Sequence, residues 1–350
     1  MCNQFPVLLI SFASVKGTNY ETAKQQIIQE IVGLYRNNSH LYDAPFMSEM
    51  DKQFWNRVNY DMADAVASDS IKFLCEIMSK YYGKKVLIFL DEYDTPIQEA
   101  YIDEFWTEMT AFIRNLFNAT FKTNPYLERA ILTGITRVSK ESIFSDLNNL
   151  KVVSTTTNRY TDCFGFTEQE VFTSMDEYGL NNKTEVKRWY DGFIFGNQRE
   201  IYNPWSIICY IRKKQFSTYW AQVTSNDLVS TLIAQSNTKV KDDFSRLLTG
   251  ESITVKLDEQ IIFSQLHKKR GAVWSLLMAG GYVKPLSFNP SDENYTITLT
   301  NHEVHLIIEG LFYEWFYNDH IDGNKFCNAL LNDDLTSMNK NLNYITENIF

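Results

Sequence analysis

A short apolar run that ends in two adjacent carboxylates is the feature that most constrains this chain. Val86–Leu90 is apolar and rich in strand-forming residues, and Asp91 and Glu92 follow it directly. A buried strand of a parallel sheet has this composition. The carboxyl end of such a strand is where α/β proteins place their ligand-binding groups. The run therefore predicts an interior strand with carboxylates at its tip.

Two other runs predict strands of the same sheet, Phe5–Phe12 and Glu128–Val138. Helical spacing of apolar residues separates the three strands. It covers Tyr20–Tyr35, about 69–82 before the helix stop at Gly83, and a long helix from Pro96 to about Phe121. Strands that alternate with helices are typical of a parallel sheet with right-handed crossovers.

The pattern changes after residue 165. Thr167 and Glu170 form a capping box at the start of a helix, and helices are expected to about residue 235, interrupted by an aromatic loop at Trp189–Phe193. Helices then precede two strand-like pieces, about 282–287 and 295–299, and a helix over Val304–Trp315. This order predicts a winged-helix-like domain, followed by a polar tail.

Composition narrows the classes of function and the expected location. The 350 residues carry a formal net charge of −10, which disfavours a general electrostatic grip on nucleic acid or on an anionic membrane. No apolar run has the roughly 20 residues that a transmembrane helix needs. Five cysteines, scattered and without a C-x-x-C pair, fit a reducing compartment, so we expect a cytoplasmic protein without a zinc site.

Asp91 and Glu92 also fit the pattern of a Walker B strand, in which the first acid helps to hold Mg²⁺ and the second orients an attacking water. The alternative is a solvated turn after a strand. Nowhere in the 350 residues is there a G-x-x-x-x-G-K-[ST] loop to cradle phosphates. Gly83-Lys84-Lys85 is no substitute, because it runs into a strand where a phosphate loop would open a helix.

Several segments in order resemble the bacterial AAA-ATPase-like family, a branch of P-loop ATPases in which a PD-(D/E)xK nuclease-like domain often follows the ATPase. The segments that carry the resemblance are Phe5–Phe12, Leu90–Ile97, Leu132–Ser145, Asn148–Leu150, Phe164–Glu168, Trp189–Phe193 and Tyr202–Ser206.

The resemblance implies ATP and Mg²⁺ as cofactors and assigns roles to four residues. Asp91 matches the acid that holds Mg²⁺ through water, and Glu92 matches the catalytic base that polarises water. Thr133 and Arg137 lie on the strand that carries sensor groups, where Thr133 would contact the nucleotide and Arg137 would stabilise developing charge. For Arg137 a structural ion pair remains an equal alternative.

Compared with the pattern of this family, the chain is expected to lack two parts. The strand and phosphate loop that precede the Phe5–Phe12 match, and the nuclease-like domain, are expected to be missing here. The expected fold is thus α/β. Residues 1–165 are expected to form an incomplete P-loop NTPase-type parallel sheet that lacks its central first strand. Three further parts are expected after it: a helical lid over 166–226, a winged-helix-like domain over 227–318, and a tail or start of a missing domain over 319–350.

We therefore expect a member of an ATP-hydrolysing family that is nucleotide-incompetent in this truncated form. The alternative is a non-enzymatic interaction module whose partner is an unknown protein or the missing domain. DNA binding through the winged helix is a weaker alternative, based on the basic triplet Lys268-Lys269-Arg270.

Three other patterns favour structural roles. Glu185-Val186-Lys187 resembles a nuclease E-x-K triplet but lies in a charged helical stretch, which indicates a solvated face. His302 and His305 lack the H-E-x-x-H zinc pattern. The aromatic residues at 189–193 and 202–205 are expected to pack, with base stacking as the alternative.

Overall fold

The computed structural model describes residues 4–135, 150–220, 227–234, 236, 238–257, 270–318 and 323–349. Leaving aside the residues outside these ranges, the chain divides into two compact units, one within Met1–Val152 and the other comprising Val153–Asp258 and Ser264–Phe350. In the described part, no helix has the length and apolar character needed to cross a lipid bilayer.

In its described residues, the first unit is a parallel three-stranded sheet with helices, as the sequence predicts. Its elements are β1 (Val7–Ser11), α1 (Tyr20–Asn37), α2 (Glu49–Arg57), α3 (Asp64–Tyr82), β2 (Val86–Asp91), α4 (Thr95–Ile102), α5 (Trp106–Phe117), a π-helical turn (Asn118–Lys122) and β3 (Leu127–Leu132). The strand order is β1-β2-β3, so the strand that ends in Asp91 lies in the middle.

The local signals in the sequence account for most of these boundaries. The Asn19 side chain accepts a hydrogen bond from the Thr22 amide and caps α1. Gly83 ends α3 in the left-handed conformation, with φ +66°. The strand predicted over Glu128–Val138 is shorter, since β3 ends at Leu132 and residues from 136 lie outside the described part.

The two faces of the sheet differ in how they are covered. Leu8 and Ile10 of β1 pair in register with Ile88 and Leu90 of β2, and all four side chains are buried. Leu9, on the opposite face, is 68% exposed. Parallel sheets are normally covered on both faces, but the described residues cover only one face of this sheet.

One predicted helix of the first unit is wrong. The sequence favours a single helix from Pro96 to Phe121, but the structure has two, α4 and α5, which are separated at residues 103–105. Glu104 has φ +64°, and the amide of Phe105 bonds to the carbonyl of Ala100. This geometry is a Schellman-type helix end, and it lets Phe105 be buried at the break.

In its described residues, the second unit contains two antiparallel sheets with helices. Its elements are β4 (Phe166–Thr167), α6 (Glu168–Glu177), α7 (Lys183–Tyr190), β5 (Phe193–Phe195), β6 (Gln198–Tyr202), α8 (Pro204–Lys213), α9 (Asp227–Ala234), α10 (Thr238–Leu248), β7 (Ile253–Lys256), α11 (Arg270–Ala279), β8 (Val283–Asn289), β9 (Asn294–Leu299), α12 (His302–Asn318), α13 (Gly323–Leu331) and α14 (Leu335–Ile349).

The capping box of α6 agrees with the sequence analysis, and α8 also begins with a side-chain cap. Thr167 and Glu170 exchange the two capping-box hydrogen bonds, and Asn203 caps α8 through its side chain. The prediction of helices interrupted by one aromatic loop is wrong for 193–202, where β5 and β6 form a hairpin with β4 on its other side. The strand β7 is a further element that the sequence analysis missed.

Candidate functional site

The candidate site lies at the carboxyl ends of β2 and β3. The Thr133 hydroxyl donates a 2.5 Å hydrogen bond to Oδ1 of Asp91. The backbone continues the sheet to this point, since the Thr133 amide bonds to the Leu90 carbonyl and the Phe12 amide bonds to the Asp91 carbonyl. Adjacent parallel strands thus bring together two of the predicted site residues, 42 positions apart in sequence.

Glu92 has a strained backbone at the tip of β2. Its φ is +49°, in the left-handed region, which costs a non-glycine residue roughly 1–2 kcal/mol. Its side chain is exposed, and Oε2 accepts a 3.0 Å hydrogen bond from the Thr95 hydroxyl. Strain of this kind concentrates at functional sites, and here it turns the second carboxylate out of the strand direction.

Asp94 is a buried acid beside the site that the sequence analysis did not select. It is 1% exposed, and its Oδ2 accepts a 2.9 Å hydrogen bond from the Gln98 side chain. It lies against the backbone after β3, because a Cβ built on Gly134 would be 2.2 Å from Oδ1 of Asp94. The signal available in the sequence was an acid two residues before Pro96, at a helix start.

The close approach of Gly134 to Asp94 gives a stability prediction. Gly134→Ala is expected to lower the free energy of unfolding by about 1–3 kcal/mol, because the added methyl group overlaps a buried carboxylate. It would also meet the Tyr93 ring at 2.9 Å. Chemical denaturation followed by circular dichroism measures the change.

Gly33→Ala is the matched control for this substitution. Gly33 lies inside α1 with nothing within 4 Å of its Cβ position, so alanine there is expected to stabilise by roughly 0.5–1 kcal/mol. A Gly134→Ala protein as stable as the wild type would contradict the close contact.

The remaining predicted groups are distributed as follows. Arg137 and Lys268-Lys269 lie outside the described residues. Lys187 bridges Glu168 and Glu200 at 2.5 Å and 2.6 Å, so the lysine of the E-x-K triplet takes part in surface ion pairs. His305 contacts the Leu248 carbonyl at 3.0 Å, and among the described residues no group of three or more His, Cys, Asp and Glu side chains could hold a metal ion.

The residues at the strand ends fit a magnesium ion held through water, and they do not supply a complete nucleotide site. Mg²⁺ takes oxygen ligands, keeps several waters and commonly uses one or two carboxylates together with substrate phosphates. The exposed Asp91 carboxylate and the Thr133 hydroxyl offer such oxygens. The phosphate-binding loop is missing from the sequence, so these residues bring no cradle for a triphosphate.

The first unit thus defines an α/β protein with a carboxylate site at the carboxyl ends of parallel strands. Residues 1–144 match the AAA-ATPase-like family model, whose description is "Predicted AAA-ATPase". The match confirms the resemblance to this family, and the matched range includes Asp91, Glu92, Thr133 and Arg137.

One curated relative matches part of the chain. It is described as an uncharacterized protein in the vnfD 5′ region of Azotobacter chroococcum mcd 1, and it is 30% identical over 156 residues. The alignment covers 44% of this chain and 30% of that relative, so the chain spans less than a third of the relative's length. No solved structure matches the chain.

Proposed function

We propose that the first unit forms the magnesium and water side of a nucleoside triphosphate hydrolase site. In this proposal Asp91 holds Mg²⁺ through water, Thr133 orients Asp91 and contacts the nucleotide, and Glu92 polarises the attacking water. Arg137 would stabilise the developing charge. The observation that carries the proposal is the hydrogen bond between Thr133 and Asp91 at the tips of adjacent parallel strands.

The second part of the proposal concerns the phosphates. Because the 350 residues contain no phosphate loop, we infer that they bind MgATP too weakly for turnover unless that loop comes from other residues. One feature supports a strand beside β3 that would carry it. Within the described ranges β3 pairs only with β2, so the other edge of β3 is open to a further strand.

The second unit supports the domain assignment that we propose for the rest of the chain. The order α10, β7, α11, β8, β9 with the sheet order β7-β9-β8 supports the winged-helix-like domain that we propose for residues 227–318. We place the helical lid at 166–226 and a tail or further domain at 319–350. Cys75, Cys163 and Cys209 are free thiols, which supports a reducing, cytoplasmic location.

A non-enzymatic interaction module is the second candidate function. The winged-helix order favours it, because such domains bind DNA or proteins. Of these two, DNA is the weaker partner, since the turn between β8 and β9 carries Asp292 and Glu293, and Glu293 is paired with Lys256 at 2.5 Å. An acidic turn repels the phosphate backbone.

A titration with MgATP tests the phosphate part of the proposal. The dissociation constant of the 350-residue chain for MgATP, measured by isothermal titration calorimetry, is expected to be above about 1 mM. In a hydrolysis assay the chain is expected to release no more phosphate from ATP than the Asp91→Asn variant does. Micromolar binding that depends on Mg²⁺ would contradict the inferred loss of nucleotide competence.

Nuclear magnetic resonance with Mn²⁺ in place of Mg²⁺ tests the proposed metal site at Asp91 independently of nucleotide binding. Paramagnetic broadening of amide signals is expected at Asp91, Glu92 and Thr133, and Asp91→Asn should remove it. Asp61→Asn is the matched control, because Asp61 is an exposed acid in the segment between α2 and α3. Equal broadening in Asp91→Asn and the wild type would refute the metal assignment.

Glu92→Gln tests the assignment of the catalytic base in any form of this protein that hydrolyses ATP. It is expected to preserve ATP binding and to lower kcat by about 10²–10⁴-fold, the usual contribution of a general base. Unchanged hydrolysis would remove Glu92 from the mechanism.

A further inference from the structure

The second unit contains a cavity of about 420 Å³ that neither the family match nor the proposed hydrolase site uses. It lies between the β5–β6 hairpin, the segment after α11 and the strands β8 and β9. A volume of this size is within the range of small-molecule sites in proteins, roughly 300–1,000 Å³.

Aromatic rings form much of the cavity wall. Phe193, Phe195, Trp220 and Tyr295 line it, and the rings of Phe193 and Trp220 meet edge to face with centroids 6.2 Å apart. The Phe193 ring packs tightly against the backbone of Gly281, because a Cβ on Gly281 would lie 2.5 Å from that ring. A flat apolar group is the kind of ligand that such a wall accepts.

Two cations line the same cavity, Lys284 on β8 and Arg199 on β6. The lining includes no aspartate and no glutamate. Lys284 is half-buried, and in the described part of the chain no residue forms an ion pair or a hydrogen bond with its ammonium group. A buried cation without a close partner is costly, and an anionic ligand would offset that cost.

The surroundings of Lys284 show how the chain positions this charge. Gly192, with φ +126°, leaves room for the ammonium group, because a Cβ there would lie 2.8 Å from Nζ of Lys284. Burial lowers the pKa of Lys284; the nearby Asp191 carboxylate opposes that shift, and the Arg199 charge adds to it. Asp191 is itself incompletely satisfied, since its buried Oδ1 accepts no hydrogen bond from the described residues.

The remaining polar groups of the lining can hold an oxyanion or a hydroxyl group. Thr155, Thr156 and Asn203 offer side-chain donors and acceptors. The planar guanidinium of an arginine binds carboxylate or phosphate oxygens in pairs. The cavity therefore combines an apolar, aromatic wall with a positively charged rim, in a protein whose formal net charge is −10.

We propose that this cavity binds a small organic anion, namely an aromatic ring that carries a phosphate or a carboxylate group. The ring packs against Phe193, Phe195 and Trp220, and the anionic group lies between Lys284 and Arg199. The residues of this site differ from those at the strand tips near Asp91, so a test of this proposal does not depend on the proposed hydrolase site.

Isothermal titration calorimetry with four probes tests the ligand class. Phenyl phosphate and phenylacetate carry the two candidate anions, benzyl alcohol is the uncharged analogue, and inorganic phosphate lacks the ring. At least one of the two aromatic anions is expected to bind at least tenfold more tightly than benzyl alcohol and than inorganic phosphate. Preference between the two identifies the anionic group as phosphate or carboxylate.

Substitutions test the location. Lys284→Met keeps the apolar stem and is expected to weaken binding at least tenfold, whereas Lys284→Arg keeps the charge and should retain most of it. Arg199→Met is a second variant at a more exposed position and should also weaken binding. Lys256→Met is the matched control, since Lys256 lies on β7 outside the cavity lining and pairs with Glu293; it should bind as the wild type does.

Three results would overturn the proposal. They are the absence of binding by both aromatic anions at millimolar concentration, equal binding of benzyl alcohol, and unchanged affinity in both Lys284→Met and Arg199→Met. Asp91→Asn should leave binding of the probes unchanged, and a loss of binding there would show that the probes bind at the strand tips instead.

Discussion

Glu303→Ala is expected to lower the free energy of unfolding of the second unit by about 3–4 kcal/mol. The Glu303 side chain is 1% exposed at the start of α12. Its oxygens accept 2.8 Å hydrogen bonds from the Ser206 hydroxyl and from the Trp220 amide. Hydrogen bonds to a charged group contribute about 1.5–3 kcal/mol each, and alanine would leave buried donors without an acceptor.

The substitution also affects the cavity, because Glu303 fixes the backbone of Trp220, which lines it. Hydrogen exchange of amides in the second unit, together with chemical denaturation, measures the loss. Glu177→Ala is the matched control at an exposed glutamate of α6 and is expected to change stability by less than about 0.5 kcal/mol. Equal stabilities of the Glu303→Ala and Glu177→Ala proteins would contradict the role of Glu303.

The pH dependence of the Glu303 contribution has a definite sign. Burial raises the pKa of Glu303 above its ordinary value of 4.5, although bonds from Trp220, Ser206 and Tyr219 act in the opposite direction. The folded state therefore binds this proton more readily than the unfolded state does, and the contribution to stability falls as pH rises. Relative to Glu303→Gln, the wild type should gain stability as pH falls through the raised pKa, and level off below pH 4.5.

Trp274→Ala is expected to cost about 3–5 kcal/mol, the usual cost of deleting a buried large aromatic side chain. Trp274 is fully buried in α11, at 0% exposure. Its ring packs against Phe244 of α10 with centroids 4.7 Å apart. The residue therefore joins two helices across the core of the second unit, and alanine would leave a cavity there. Thermal and chemical unfolding measure the loss.

Two controls separate packing from hydrogen bonding at this position. The buried indole Nε1 of Trp274 has no hydrogen-bond partner in the described part of the chain, so Trp274→Phe loses no such bond and is expected to cost less than half as much as alanine. Trp205→Ala removes a tryptophan that is 46% exposed and should cost about 1 kcal/mol or less. A Trp274→Phe protein as unstable as Trp274→Ala would contradict the packing argument.

The sequence predicted the parts of the fold that depend on local signals. Periodicity and capping residues within a few positions of each other predict the three parallel strands, the helix caps and the β8–β9 hairpin that follows α11. The break before α5 was missed because its left-handed residue is Glu104, where glycine would have marked a helix end. Burial of Phe105, a tertiary effect, stabilises that break.

The β5–β6 hairpin was missed although the sequence carries a signal for it. Gly196-Asn197 separates Phe193–Phe195 from Gln198–Tyr202 by two residues, which is a recognised hairpin pattern, and Gly196 has φ +56°. The aromatic residues of this region were interpreted as packing residues, and neither strand alternates apolar and polar residues. The strand β7 has only four residues, too few for a periodic pattern.

The candidate site was predictable where it depends on strand ends alone. Asp91 and Thr133 meet because parallel strands finish at one edge of a sheet. The left-handed backbone of Glu92 lies where no glycine marks it, and the contact of Asp94 with Gly134 joins segments 40 positions apart, so neither was predicted. The cavity of the second unit was missed for the same reason, since its lining comes from segments more than 100 positions apart.

The pairing of β1 with β2 also has a consequence for how quickly this protein acquires its structure. Val7 pairs with Leu87, about 80 positions later, whereas β8 and β9 are joined by a turn of a few residues. Contacts between distant positions form slowly, because a long loop must close before they contribute any free energy. During synthesis, β1 must therefore wait for β2 while its apolar side chains remain open to association with other chains.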